Sequence, residues 1–395
     1  MVAHEVLVYW IWQENMHFRR NTQHKRDVAL GIDLGASQIK AAVVRRQTDK
    51  LELVEYAVRT LPPGLAKAYK GPEFAAELQQ LVDGLKTSER HAFVTISCSS
   101  AMVCQAEFPP VPLAEIKSAL KLNSAGYLRR DFSAYYLDVF ELKKGTEEPK
   151  GKAKGKDKNS DPAKDSAKTN GTANTKDSAK TKDSAKSSVL VGGATKEEVD
   201  ACRDALVAAK IKPEVIELTA ISVINAFQVG HPHSKNEVVV LIDIGARMTS
   251  INFLFEGMPL ITRIMHFGGA QLSDYISQVL VLKPDEAEDE KRKMSGPIQE
   301  LVKTAISPLA REIRSSIDFF ERQNDLHVSQ IYACGGSAAS PQILAILGEA
   351  VGTHVECWNL IESLDISHFN GETQRVLALG PSLAAAVGAV IPRLS

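Results

Sequence analysis

Apolar positions in this chain fall in short unbroken runs, and the runs recur in a fixed order. "ALGIDLGASQIKAAVV" at 29–44 reads as a buried strand, a turn over Asp33-Leu34-Gly35-Ala36-Ser37, and a second buried strand. "LELVEYAVRT" then completes a meander. The order returns at 239–254 as "VVLIDIGARMTSINFL", followed by "PLITRIMHF". Asp33 aligns with Asp243, Gly35 with Gly245 and Ala36 with Ala246, all at one offset. A plain hairpin would turn on a pair such as Asn-Gly. A carboxylate closing a buried strand ahead of a glycine, twice over, has a duplicated half as its simplest cause.

Between the copies, "HAFVTISCSSAMVCQAEFP" predicts two strands and "LAEIKSALKLNSAGYL" a helix. "SAYYLDVFELKK" and "SSVLVGGAT" predict strands, and "KEEVDACRDALVAAKI" an amphipathic helix. "KPEVIELTAISVINAFQVG" predicts a strand and then a helix. A small α+β module over roughly 105–212 is therefore set inside the first half. Further on, "SQIYACGGSAASPQILAILGEAVG" at 329–352 predicts a buried strand, a Gly335-Gly336-Ser337 turn and a helix. Ser340 is suited to the N-cap of that helix and Pro341 to its first position.

One stretch departs from this texture. Residues 143–188 hold "KDSAK" three times and no aromatic residue, so they are expected to be a solvated linker without a packed core. The stretch carries thirteen Lys against seven Asp and Glu, net +6, while the whole chain is at −1. A basic tether near an anionic membrane is the other reading of that charge. The near-neutral total shows no nucleic-acid footprint. Five cysteines without a C-x-x-C pair suit a reduced compartment, as small core residues. No apolar run reaches the length of a membrane span. The start, "MVAHEVLVYWIWQENMHFRR", lacks the flanks of a signal peptide. Residues 1–27 are expected to be an extension, with a membrane-surface segment around Trp10 and Trp12 as the minority reading.

The paired hairpins carry a chemistry. Gly35 and Gly245 let backbone N–H groups approach an anion, and consecutive amides form a nest for phosphate oxygens. Asp33 and Asp243 would repel a phosphate directly, so their natural role is to hold Mg²⁺ through water. Gly335-Gly336-Ser337 suits close approach of a nucleoside or phosphate to a helix N-terminus, and equally a tight strand–helix turn. Lys40 reads either as a phosphate contact or as a strand-surface lysine.

Two Asp-x-Gly hairpins with a later Gly-Gly-Ser turn resemble the actin, sugar-kinase and heat-shock ATPase superfamily. Within it the chain resembles the type IV pilus assembly PilM family, relatives of the division protein FtsA. The residues that carry the resemblance are "GIDLGASQIKAAVV", "LIDIGARMTSINFLFEGMPLITRIMHFGGAQLSDYI" and "PLAREIRSSIDFFERQ". The resemblance implies an α/β fold of two actin-like lobes, each a ribonuclease-H-like half, with a small subdomain inserted in the first. The implied bounds are 28–104 for the first lobe, 105–212 for the insert, 213–236 for a joining helix and loop, and 237–395 for the second lobe. It implies ATP and Mg²⁺ as ligands. Asp33, Gly35, Ala36 and Ser37 would form the first phosphate motif, with Lys40 following it as a candidate phosphate contact, and Asp243, Gly245, Ala246 and Thr249 the second. Gly335, Gly336 and Ser337 would form the adenosine motif. Glu312 and Ser315 share a helix face, which the resemblance turns towards adenosine; a solvated face is the other reading. The implied partner is the cytoplasmic tail of a PilN-like inner-membrane protein, which would recruit the chain to the inner face of that membrane, with self-association left open.

The chain also departs from the family pattern. Thr219 stands where relatives place an acid in the joining helix, so a group that positions water is missing. Binding of ATP with weak or no turnover is therefore expected. A sugar-type kinase would need a general base near Thr219, where no Asp is found. A filament-forming FtsA-like protein would carry a basic amphipathic end, whereas "LALGPSLAAAVGAVIPRLS" reads as a core helix.

Overall fold

A computed structural model of the chain describes residues 27–142, 187–231 and 237–394, apart from 48–49, 63 and 66–68. The expectations for 1–26 and 143–186 lie outside the described residues.

The first half builds a five-stranded sheet. Strands β1 (Val28–Leu34), β2 (Gln38–Arg46) and β3 (Leu51–Thr60) form an antiparallel meander, and β4 (His91–Ile96) adds in parallel beside β1. Helix α1 (Pro72–Asp83) precedes β4. The runs of β1 and β2 are continuously apolar because helices cover both faces of the sheet. The chain then leaves for a three-stranded antiparallel sheet of β5 (Met102–Phe108), β6 (Tyr135–Leu142) and β7 (Ser187–Thr195), in the order β5-β7-β6. Helix α2 (Leu113–Leu128) covers one face of it over Phe108, Ile116, Leu120, Val139, Val189 and Val191. Ser187 and Ser188, read with the low-complexity stretch, belong to β7, because they pair with Phe108 and Glu107 of β5.

Helix α3 (Lys196–Ala208) and strand β8 (Lys212–Leu218) return to the first sheet, whose order is β3-β2-β1-β4-β8. Helix α4 (Thr219–Gly230) leads to the second half. There β9 (Val238–Ile244), β10 (Thr249–Phe255) and β11 (Met258–Met265) repeat the meander. Helices α5 (Gly269–Leu280), α6 (Pro284–Lys293) and α7 (Gly296–Asn324) follow. Strand β12 (Gln330–Cys334), helix α8 (Pro341–Val351) and strand β13 (Val355–Cys357) complete the order β11-β10-β9-β12-β13. The two five-stranded sheets thus share one topology, with Asp33 and Asp243 at equivalent strand ends. Helix α9 (Thr373–Gly388) closes the fold.

Two helices reach beyond the part of the chain the sequence assigns them to. Helix α3, assigned to the inserted module, contacts β6 and β7 of that module and also packs on the first sheet through Val199, Cys202, Ala205 and Leu206. Its apolar stripe has that sheet as its large apolar partner. Helix α9, placed in the second lobe, joins the first-sheet core through Val376, Leu383, Ala384 and Val387. Helices α4 and α9 pack together between the two sheets. A Cβ on Gly388 would stand 1.8 Å from the Ser222 carbonyl oxygen, so only glycine permits that approach. Pro381 inside α9 leaves the Leu377 carbonyl without its helical donor, and Asn359 Nδ2 supplies one at 2.9 Å. Cys98, Cys202 and Cys334 are core residues as expected, whereas Cys357 lies exposed on β13 at the sheet edge.

Candidate functional site

Asp33 ends β1, where its neighbour across the antiparallel pair is Lys40. Lys40 Nζ lies 2.9 Å from Asp33 Oδ2, and both side chains are nearly closed off from solvent. The two readings of Lys40 thus resolve to a buried ion pair within the first hairpin. Asp243 is the counterpart on β9. Its carboxylate makes no hydrogen bond or ion pair among the described residues, although the residue is half-buried. Burial, and then the charge of Asp33, push its carboxyl up to about 7, while Lys40 pulls the other way. Lys40 is bonded to Asp33 and its charge also acts on Asp243, so the two carboxylates together are short of positive charge.

The glycine turn at 335–337 closes over Asp243. Gly335 has φ +91°, and a Cβ there would lie 2.5 Å from Asp243 Oδ1 and 2.6 Å from the Ile244 carbonyl oxygen. Ser337 N donates to the Ile244 carbonyl at 3.2 Å, and Gly335 N to the Pro381 carbonyl at 2.8 Å. Gly336 is exposed, with open space where a side chain would be. Ser340 caps α8, accepting from Ile343 N, and Pro341 follows it as expected.

The second hairpin is braced from behind. Gly245 N donates to the Met248 carbonyl at 3.0 Å. The first amides of α5 donate to the turn, Gly269 N to Gly245 at 2.9 Å and Ala270 N to Ala246 at 2.7 Å. This consumes carbonyls of the turn and helix-end donors together. The amides of Ala36, Ser37, Ala246 and Arg247 make no backbone hydrogen bond among the described residues, as an anion nest requires. Thr249, expected at the phosphate, is fully buried and gives its hydroxyl proton to the Phe267 carbonyl at 2.8 Å. It holds the Gly268-Gly269 run against the hairpin instead.

Glu312 and Ser315 do not join this group. Arg263 of the edge strand β11 takes the Glu312 carboxylate at 2.9 Å. Ser315 is exposed and donates to the Glu312 carbonyl. The polar groups beside Ser337 come from α6. Lys291 Nζ and Ser337 Oγ both abut Gly269, and Lys291 bonds Glu288 at 2.7 Å, Ser273 at 2.8 Å and the Gly269 carbonyl at 3.0 Å. Sequence reading missed Lys291 because α6, "PDEAEDEKRK", looks like a solvated helix. The usable signal was the Glu288–Lys291 spacing of three.

The joining helix supplies no carboxylate to the cleft. Ile96, Ser97, Cys98, Ala101, Thr219, Asp243, Met248, Ser250 and Ile264 are among the residues that line it. Thr219 accepts from Thr95 Oγ1 at 3.2 Å. Glu217 is fully buried elsewhere, bonded by Ser222 of α4. Burial pushes its carboxyl up to about 8, against the opposing effects of Ser222 and Arg393.

Two sheets of one topology, packed about α4 and α9 with the paired aspartates between them, define an actin-like two-lobed α/β protein. The family model for the type IV pilus assembly protein PilM matches residues 176–393, more than half of the chain, and the chain belongs to that family. It is similar to the solved PilM–PilN type IV pilus biogenesis complex at 23% identity and a TM-score of 0.74, over 94% of this chain and 100% of that one. It is also similar to ethanolamine utilization protein EutJ from Carboxydothermus hydrogenoformans, with 14% identity, a TM-score of 0.49, and 94% and 90% of the two chains covered. For MreB 5 of Spiroplasma citri bound to AMPPNP the values are 13%, 0.42, 89% and 98%.

Proposed function

We propose that this chain is an ATP–Mg²⁺-binding scaffold of type IV pilus assembly, which docks the cytoplasmic tail of a PilN-like inner-membrane protein and turns ATP over weakly or not at all. The observation that carries the reading is the pair Asp33 and Asp243 at equivalent strand ends of the two sheets, with Lys40 bonded to Asp33 and the charges of both acting on the Asp243 carboxyl. The residues fit a hydrated divalent cation, since the Asp243 carboxylate has no bonding partner among the described residues and is short of positive charge. Mg²⁺ would be held through water by Asp33 and Asp243 and would offset the charge of the phosphates. Lys40 stands ready to exchange part of its bond to Asp33 for a phosphate oxygen. The amides at 36–37 and 246–247 offer donors to the remaining oxygens. Glu288, held by Lys291 and Ser273, offers an acceptor to nucleoside hydroxyls near the 335–337 turn, while the three protons of Lys291 are engaged within the protein.

The carboxylate that would orient an attacking water is absent at Thr219, and Glu217 is held on Ser222 instead. The same absence counts against a kinase. Docking to a PilN-like tail is supported by the similarity to a PilM solved together with PilN. No helix among the described residues is long and apolar enough to cross a membrane, so such a partner would supply the attachment. The test is calorimetric titration with ATP and Mg²⁺, followed by a phosphate-release assay. Tight binding with slow release supports the scaffold; fast release unaffected by Thr219→Glu would favour an enzyme.

A further inference from the structure

The three-stranded sheet joins the rest of the chain through two crossings, and both meet at one carboxylate. The chain leaves β4 through 97–101 into β5, and returns from β7 at Thr195 into α3. Glu198, in the first turn of α3, accepts at Oε1 from Ser99 N at 3.2 Å and Ser99 Oγ at 2.8 Å. Its Oε2 accepts from Ser100 N at 3.2 Å, from Thr195 Oγ1 at 3.1 Å and from Ser100 Oγ. Thr195 N donates in turn to Ser100 Oγ at 2.9 Å. Burial alone would raise the Glu198 pKa; the bonds from Ser100, Ser99 and Thr195 outweigh it and hold the group below the ordinary carboxylate range. Capping α3 requires only Thr195, which accepts from Glu198 N. The donors from the first crossing lie far upstream in the chain and have no part in that cap.

The first crossing is also a wall of the nucleotide cleft. Ser97, Cys98 and Ala101 line it together with Asp243, and with Ile264 from β11. Tyr69 fastens the crossing to the first phosphate hairpin, because its Oη lies 3.1 Å from the Ser97 carbonyl oxygen and 3.2 Å from that of Leu34, next to Asp33. A continuous chain of bonds thus runs from the Asp33 hairpin through Tyr69 and 97–100 to Glu198, and on to Thr195 at the end of β7.

We propose that Glu198 is a positioning residue that couples the cleft to the three-stranded sheet, so that nucleotide occupancy is read out in the placement of that sheet. The inference rests on the nucleotide-binding function proposed above. Without the carboxylate, the crossings keep the Thr195 N–Ser100 Oγ bond and the β5–β7 pairing, but the Ser99 and Ser100 amides and the Ser99 hydroxyl lose their hold on α3, so a shift at 97–100 is passed on more weakly. With both crossings on one carboxylate, a shift of Ser99 and Ser100 has to carry Thr195 and β7 with it. Coupling then depends on a hydrogen-bonded element that the ligand site can bias.

The test is hydrogen–deuterium exchange on the full chain, with and without ATP–Mg²⁺, in the natural protein, in Glu198→Gln and in Tyr69→Phe. An amide nitrogen cannot accept from Ser100 N, so Glu198→Gln breaks the shared knot, while Tyr69→Phe removes only a hydroxyl. In the natural protein ATP–Mg²⁺ should slow exchange across 97–108 and 187–195 by about fivefold or more. Both variants should bind ATP–Mg²⁺ within about twofold of the natural protein and lose that nucleotide-dependent slowing. Slowing that persists undiminished in both variants overturns the coupling. Binding without any slowing in the natural protein overturns it too, and leaves the proposed function standing. Absence of ATP binding in the natural protein overturns the function itself, and with it this inference.

Discussion

Lys40 and Asp33 face each other in register across β1 and β2 and close to 2.9 Å, and the same lysine is the cation that eases the burden of Asp33 on Asp243. The cleft is therefore a three-charge unit whose balance is one positive charge short when both carboxylates are ionised.

Removing the lysine should expose that imbalance. Lys40→Met is expected to destabilise the nucleotide-free protein by about 3 kcal/mol, since it leaves a buried carboxylate without its partner. Adding Asp33→Asn to Lys40→Met should recover part of the loss. Chemical denaturation of the single and double variants checks this, and additive effects would contradict the pairing.

The carboxyl of Asp243 gives binding a pH dependence. Its folded pKa is raised to about 7, so between the ordinary carboxylate range and 7 the free protein holds a proton that must leave before a cation is held. Affinity for ATP–Mg²⁺ should fall as pH drops below about 7, approaching tenfold per pH unit. In Asp243→Asn the affinity should be weaker and the slope absent. Titrations at several pH values give the comparison.

Glu217 makes a prediction of opposite use. Its folded pKa is raised to about 8, so the native state favours the neutral form. Stability lost to this group should begin as pH rises past the ordinary carboxylate range and be complete above 8. Glu217→Gln keeps an acceptor for Ser222 and has no charge to bury. Its thermal midpoint should gain on the natural protein between pH 5 and pH 9, and an equal difference at both pH values would contradict the assignment.

The residues between β6 and β7 should be dispensable for folding. Leu142 pairs directly with Ser188, so the ends of the intervening stretch already stand side by side. Replacing 143–186 by a short Gly/Ser loop should leave the thermal midpoint nearly unchanged. A clear drop would show that the stretch docks on the folded core.

Legibility in the sequence followed the range of the interactions. The two hairpins were readable because duplication put Asp33 and Asp243 in matching local contexts, and their strands and turns are local structure. Even the Lys40 pairing was within reach, since register across a tight hairpin can be counted from its turn. The places of α3 and α9 were not readable, because an apolar helix face does not say which sheet it will meet. The Arg263 partner of Glu312 was hidden for the same reason, since it comes from another element. Lys291 was hidden among neighbouring charges, and Glu198 looked like an ordinary first-turn acid until Ser99 and Ser100 were brought to it.

The most direct test of the central claim is calorimetric titration of the natural protein, Asp33→Asn and Asp243→Asn with ATP in the presence and absence of Mg²⁺. Binding that depends on Mg²⁺, and that weakens at least tenfold in each variant, is the expected result, the loss corresponding to about 1.4 kcal/mol or more. Mg²⁺-independent binding, or unchanged affinity in both variants, would contradict the assignment of the cleft.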